Sequence, residues 1–181
     1  MSEAELAGRC RKGDNLAWKE LYELYAGKML TFCVRYTNDI DVAHDLLHDG
    51  FLKVYASISS FSYKGEGSLR AWLSKVFINV SLEYLRKKDL LRVTLPLENI
   101  EEMIDETETM YDEVPIDILM GLVLELPLGY RTVFNLYVFE EWSHKEIAVK
   151  LHINEKSSSS QLNRAKKILM KKVSEYINKK K

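Results

Sequence analysis

Glu146–Ile147–Ala148–Val149–Lys150–Leu151–His152–Ile153–Asn154, followed by Ser157–Ser158–Ser159–Ser160–Gln161–Leu162–Asn163–Arg164–Ala165, is the stretch whose reading decides the fold. Ile147, Ala148 and Leu151 fall on one face of a short helix, as a 3.6-residue period requires. Ser143, three residues ahead of Glu146, is a capping-box pattern that fixes where this helix starts. The pattern then breaks, and Asn154 is placed to cap a second helix. Ile153 anchors that helix against the first, and the small Ala148 lets the two cross closely. The second helix buries Leu162, Ala165 and Leu169 and turns Ser158, Ser159, Gln161, Asn163, Arg164, Lys166 and Lys167 outward. Hydroxyls, amides and an arginine near a helix start suit base edges and phosphates, so the outline is a helix-turn-helix that enters a DNA major groove. The pattern alone also fits a helical hairpin from a protein-interaction domain.

Whole-chain charge hides this reading, because the 181 residues sum to only -1. The charge is strongly segregated. Between Val93 and Tyr130 there are ten acidic residues and no Lys or Arg. From Trp142 to Lys181 eleven basic residues face Glu146, Glu155 and Glu175, a formal +8. Such an excess draws in a phosphate backbone and releases its counterions, whereas the acidic middle is repelled by DNA and belongs to a linker or a protein-facing segment. The two cysteines, Cys10 and Cys33, have no metal-type spacing and read as reduced cytosolic thiols. The longest apolar region, Ile116–Phe139, carries Glu125, Pro127, Arg131 and Asn135, so no membrane span is expected.

Upstream, the chain reads as helix throughout. Leu16–Tyr36 presents Leu21, Leu24, Tyr25, Met29, Phe32, Cys33 and Tyr36 on one face. Asp41–Ile58 is expected to bury Ala43, Leu46, Leu47, Phe51, Val54 and Tyr55. Ser59–Ser68 is a loop that displays Phe61 and Tyr63 among Gly65 and Gly67. A third helix, Leu69–Lys88, carries Trp72, Leu73, Val76, Phe77, Val80 and Leu85 and ends on Arg86–Lys87–Lys88. The expected architecture is all-α: a first helical domain over residues 1–90, an acidic linker over 91–114, and a second helical domain over 115–181. In the second, Ile118–Leu126, Leu128–Phe139, Ser143–Leu151 and Lys156–Tyr176 form four helices, with Pro127 opening one of them.

Two separated segments resemble one family. Asp45–Leu46–Leu47–His48–Asp49–Gly50–Phe51–Leu52–Lys53–Val54–Tyr55 is similar to the polymerase-clamp helix of bacterial sigma-70 factors, in their small two-domain extracytoplasmic-function (ECF) branch. Leu69 to Val80, followed by Tyr84–Leu85–Arg86–Lys87–Lys88, resembles the adjoining -10 and melting segment. Leu126–Pro127 through Phe139, then Glu146 to Leu169, resembles region 4, with its -35-reading helix.

The resemblance implies that Asp45, His48, Asp49, Phe51 and Leu52 bind polymerase or support that surface. It implies that Phe61, Tyr63, Lys64, Asn79, Arg86, Lys87 and Lys88 contact the -10 element, with the Phe61–Ser68 loop receiving an unstacked base. It implies that Ser157, Ser158, Ser159, Gln161, Arg164, Lys166 and Lys167 read the -35 element. The implied partners are core RNA polymerase, promoter DNA and an anti-sigma protein. The implied location is the bacterial cytoplasm, with no cofactor and no enzymatic activity. Several positions depart from the family pattern. His48 replaces a usual Gln and Lys75 a frequent Arg. Gly50 stands where a larger residue is common, which weakens the helix by up to about 1 kcal/mol. His152 replaces the usual turn Gly, and Ser159 a frequent Lys.

Two further readings compete. The same C-terminal motif could serve a dimeric repressor or activator that binds a palindromic duplex without polymerase. His44 and His48 have a metal-type spacing on one helix, but a metal site needs ligands from other elements, and none is expected. There is no phosphate-binding glycine loop and no nucleophile elbow.

Overall fold

In a computed structural model, the described residues are 2–88, 91 and 114–180. They are all-α and form two compact units, Met1–Lys88 and Asp89–Lys181. Nearly all of the expected acidic linker, 91–114, lies outside the described residues.

The first unit contains α1 (Glu3–Arg11), α2 (Asn15–Thr37), α3 (Ile40–Ser57) and α4 (Ser68–Lys87), with a short 3-10 turn at Ile58–Ser60. The sequence reading places no helix before Leu16, so α1 is an addition. Its signal is a complete capping box, in which Ser2 and Glu5 satisfy each other's backbone N–H groups. Asp14 and Asp39 cap α2 and α3 through their carboxylates. Asn38 ends α2 in the left-handed conformation that asparagine tolerates.

Leu6, Cys10, Leu21, Met29, Cys33, Leu46, Leu47, Val54, Leu69, Leu73 and Phe77 make the core shared by these helices. Both cysteines are free thiols within it. Burial is the main cause that pushes Cys10 and Cys33 up to about 11.

Three expectations for this unit are corrected. Leu24 and Tyr55, expected on buried faces, are exposed. A helical period marks apolar residues but cannot tell a core from a surface kept for a partner. Gly50 is buried against the Phe77 ring, so it answers a packing need and is not simply a weak point of the helix. Phe61, expected to be displayed, is buried.

The second unit contains α5 (Ile116–Leu124), α6 (Leu128–Phe134) running into a π-turn at Asn135–Phe139, α7 (His144–Leu151) and α8 (Glu155–Lys180). Val123, Leu126, Ala165 and Leu169 pack with Leu122, Tyr130, Phe134 and Ile168. Pro127 precedes α6, where its missing N–H has no helical partner to lose. The turn before it is held by Arg131, whose buried guanidinium donates from Nη1 to the carbonyls of Leu124 (2.7 Å) and Leu126 (3.3 Å). Burial lowers the Arg131 pKa from its ordinary value. No helix among the described residues is long and apolar enough to cross a membrane.

Candidate functional site

In α3 the inward residues Ala43, Leu46, Leu47, Gly50 and Val54 fix which face is left outside. Asp45, His48, Asp49 and Leu52 lie at i, i+3, i+4 and i+7 on that outer face, and all four are exposed. Phe51 points sideways instead, with its ring 4.7 Å from Tyr22 and 5.2 Å from Phe77. It therefore supports the face from beneath. Sequence reasoning missed Tyr22 and misplaced Tyr55, whose ring is 4.9 Å from that of Trp18. Tyr22, Leu52 and Tyr55 together leave a large apolar area open beside two carboxylates.

A second candidate surface spans the 61–67 loop and α4. Tyr63 and Lys64 are exposed, whereas Phe61 is not. Trp72 packs on the Phe61 ring at 5.5 Å, and the Arg11 guanidinium lies 5.9 Å from its centroid. Phe61 is thus a buttress of the loop and offers no open stacking face, contrary to its expected display. Gly65 and Gly67 adopt positive φ, a conformation that side-chain-bearing residues rarely take. Asn79 is half-buried on α4, and Arg86, Lys87 and Lys88 are exposed at its C-terminal end. Lys87 Nζ also lies 3.0 Å from Glu83, which Lys53 approaches at 2.6 Å. Hydrogen bonds from these two ammonium groups, with Lys53 the larger, hold the Glu83 carboxyl down to about 2.

The third candidate surface is the start of α8. The capping box at the head of α7 is present as expected: Ser143 N–H donates to Glu146 (2.8 Å) and Glu146 N–H to Ser143 (3.3 Å). His152 ends α7 at φ 56°, in the left-handed region usually taken by glycine, with its N–H donating to the Ala148 carbonyl. Asn154 caps α8, accepting from Ser157 N–H at 2.7 Å.

From this start Ser160, Asn163 and Lys166 are exposed, and Ser157, Ser159, Gln161, Arg164 and Lys167 are partly so. Arg164 Nη1 is 3.3 Å from the Tyr130 hydroxyl, which draws the guanidinium toward α6. Ser158, expected outside, is fully buried, with its hydroxyl 2.9 Å from His144 Nδ1. His144 in turn stacks on Tyr137, with ring centroids 4.6 Å apart. A small polar residue looks like a surface residue in sequence, and only the α7 contact shows that it fastens the two helices together. Ser160, absent from the expected set, takes an outward position instead. Among the described residues, no three His, Cys, Asp or Glu side chains gather where they could hold a metal ion, His44 and His48 included.

Two family models match the chain. Residues 21–90 match Sigma-70 region 2, and residues 116–169 match Sigma-70, region 4. The ECF RNA polymerase sigma factor SigM of Bacillus subtilis is 30% identical over 152 residues, covering 83% of this chain and 91% of that protein. The ECF RNA polymerase sigma factor SigW of the same organism is 27% identical over 180 residues, covering 90% and 92%. Among solved structures, CnrH in complex with the cytosolic domain of CnrY aligns with a TM-score of 0.49 and 18% identity, over 93% of this chain and 95% of that one.

Proposed function

The chain belongs to the ECF branch of the sigma-70 family of RNA polymerase sigma factors, and on that premise we propose how its two units divide the work. As a sigma factor it is a non-catalytic subunit that binds core RNA polymerase and directs it to promoters. In our reading residues 1–90 act as the polymerase-binding and -10 domain, 91–114 as the acidic linker, and 115–181 as the -35 domain.

The outer face of α3, with Asp45, His48, Asp49 and Leu52, docks on polymerase, and Phe51 keeps that face in shape. Exposed Tyr22 and Tyr55 extend the same surface. The loop around Tyr63 and Lys64 takes an unstacked base of the -10 strand, while Asn79, Arg86, Lys87 and Lys88 hold the neighbouring strand. In the second unit, α7, its turn and α8 act as a helix-turn-helix. Ser157, Ser159, Ser160, Gln161, Asn163 and Arg164 face the -35 major groove, and Lys166 and Lys167 attract its backbone. Melting is driven by the binding free energy of the captured strand and of the core enzyme, with no nucleotide hydrolysis in the sigma subunit. An anti-sigma protein that covers the exposed apolar area of Tyr22, Leu52 and Tyr55 would hold the factor inactive.

One observation carries this division: region 2 and region 4 models match one chain in that order, each on a unit with an exposed polar or basic helix face. The relatives give no support to a dimeric regulator working apart from polymerase. The test is promoter opening, read as permanganate reactivity of unpaired thymines with core polymerase, with this protein, and with both. Opening only with both supports the reading. A free dimer that binds a palindromic duplex tightly and is indifferent to polymerase would overturn it.

A further inference from the structure

Helix α1 lies ahead of the segment that the region 2 model matches, which begins at residue 21. Even so, its two ends grip the loop ahead of α4. At one end the Glu3 carboxylate accepts from the backbone N–H of Leu69 (3.0 Å) and of Arg70 (3.3 Å). Those are orphan donors of the first turn of α4, whose own cap is Gly67 and has no side chain to offer. The Tyr25 hydroxyl steadies Glu3 by donating to Oε1 at 3.0 Å. At the other end Arg11 donates from Nε to the Ile58 carbonyl (3.2 Å) and from Nη2 to the Phe61 carbonyl. One rigid helix thus fixes the backbone on both sides of the loop, from anchors about 12 Å apart along its axis.

Between the two grips lie exposed Ser62, Tyr63, Lys64, Glu66 and Gly67. A loop with two positive-φ glycines would otherwise sample many conformations, and ordering it on binding would reduce affinity. Fixing both ends beforehand removes part of that loss.

We propose that Glu3 and Arg11 are positioning residues for -10 strand capture, holding the loop mouth at a set width from outside the region 2 segment. The inference rests on the reading above that the 61–68 loop receives a base. It assigns α1 a role in promoter opening that is separate from its share of the core.

The test uses holoenzyme assembled with the full chain, carrying Glu3→Ala, Arg11→Ala or the conservative Arg11→Lys. Binding is measured to a -10 non-template oligonucleotide, intact or abasic at one position at a time. For the native chain, one abasic position should weaken binding by about tenfold or more, as loss of a stacked base does. For Glu3→Ala and Arg11→Ala, binding of the intact strand should fall by about tenfold. The intact-to-abasic ratio should shrink toward one, while polymerase affinity and -35 duplex binding change by less than about twofold. Arg11→Lys should restore part of the ratio.

If both alanine variants keep the native ratio, the positioning role is wrong and the loop reading stands. An equal loss on intact and abasic strands, with a lowered thermal midpoint, would also overturn it, because α1 would then be only a structural brace. If the native chain shows no abasic effect at any position, the loop reading fails and this inference fails with it. Faster hydrogen exchange at the Leu69 and Arg70 amides in Glu3→Ala would confirm that the grip has been released.

Discussion

The ring of Phe77 occupies the place where residue 50 would carry a β-carbon: a Cβ built on Gly50 meets Phe77 Cε1 at 2.1 Å and Cδ1 at 2.6 Å. The two residues are one packing decision made in two helices. Phe77 is fully buried and its ring meets Phe51, so it has no easy retreat.

Gly50→Ala should therefore destabilise the first unit by about 1–3 kcal/mol, despite alanine's better helix propensity. Urea unfolding of the full chain measures this. Pairing it with Phe77→Leu should recover part of the loss, and a strictly additive double variant would refute the coupling.

The exposed faces of the two units should separate by substitution. Asp49→Ala is expected to weaken holoenzyme assembly while sparing binding of the isolated chain to a -35 duplex. Arg164→Ala should do the reverse, by about tenfold on the duplex. Fluorescence titrations with core polymerase and with duplex measure the two separately. A native polymerase affinity for Asp49→Ala would remove α3 from the docking surface.

Within α8, burial predicts opposite outcomes for two neighbouring polar residues. Ser158→Ala leaves His144 without its hydroxyl partner and should cost about 1 kcal/mol of stability. Promoter sequence preference should stay unchanged. Exposed Asn163→Ala should leave the thermal midpoint where it is and weaken -35 binding by about tenfold. Binding across a panel of single-base duplex variants would expose a reversed pattern.

His152 is exposed and holds φ 56°, so its side chain brings strain without a compensating burial. His152→Gly should raise the stability of the second unit by about 0.5–1 kcal/mol, and His152→Val should lower it by more. Calorimetry decides; a glycine variant that melts earlier would mean the imidazole makes a stabilising contact.

Glu83 makes the first unit sensitive to acid. Its pKa is depressed from 4.5 to about 2 in the folded chain, so the folded state binds fewer protons than the unfolded one. The stabilisation is fully present above about pH 4.5 and is lost as pH falls toward 2. The carboxylate is 34% exposed, so salt should shrink the effect. The stability gap between the native chain and Glu83→Gln should therefore narrow in acid unfolding curves as pH falls from about 4.5 toward 2; a gap that stays constant through this window would show that the ion pairs do not hold the carboxyl down.

Much of the fold was legible because helical periodicity and cap chemistry are local. The Ser143–Glu146 box, the Asn154 cap and the buried Ala43–Leu46–Leu47–Val54 series could all be read from neighbours in sequence. What escaped depends on groups far along the chain. Phe61 turns inward because Arg11 and Trp72 meet it there, and Ser158 because His144 does. Leu24 and Tyr55 carry the same period as true core residues, and nothing local says that their face stays open. Helix α1 was hidden differently: its capping box is visible, but its apolar set of Leu6, Ala7 and Cys10 is small for a periodic signal.

The inward placement of Cys10 and Cys33 has a practical consequence. With both thiols protonated at neutral pH and shut away from solvent, a maleimide or a spin label has no native site to react with. A cysteine placed at exposed Ser160 or Ser62 would be the single reactive sulfur. The natural chain thus accepts a site-specific probe without removal of its own cysteines, and the proposed roles of the 61–67 loop and of α8 become distances that can be measured with and without promoter DNA.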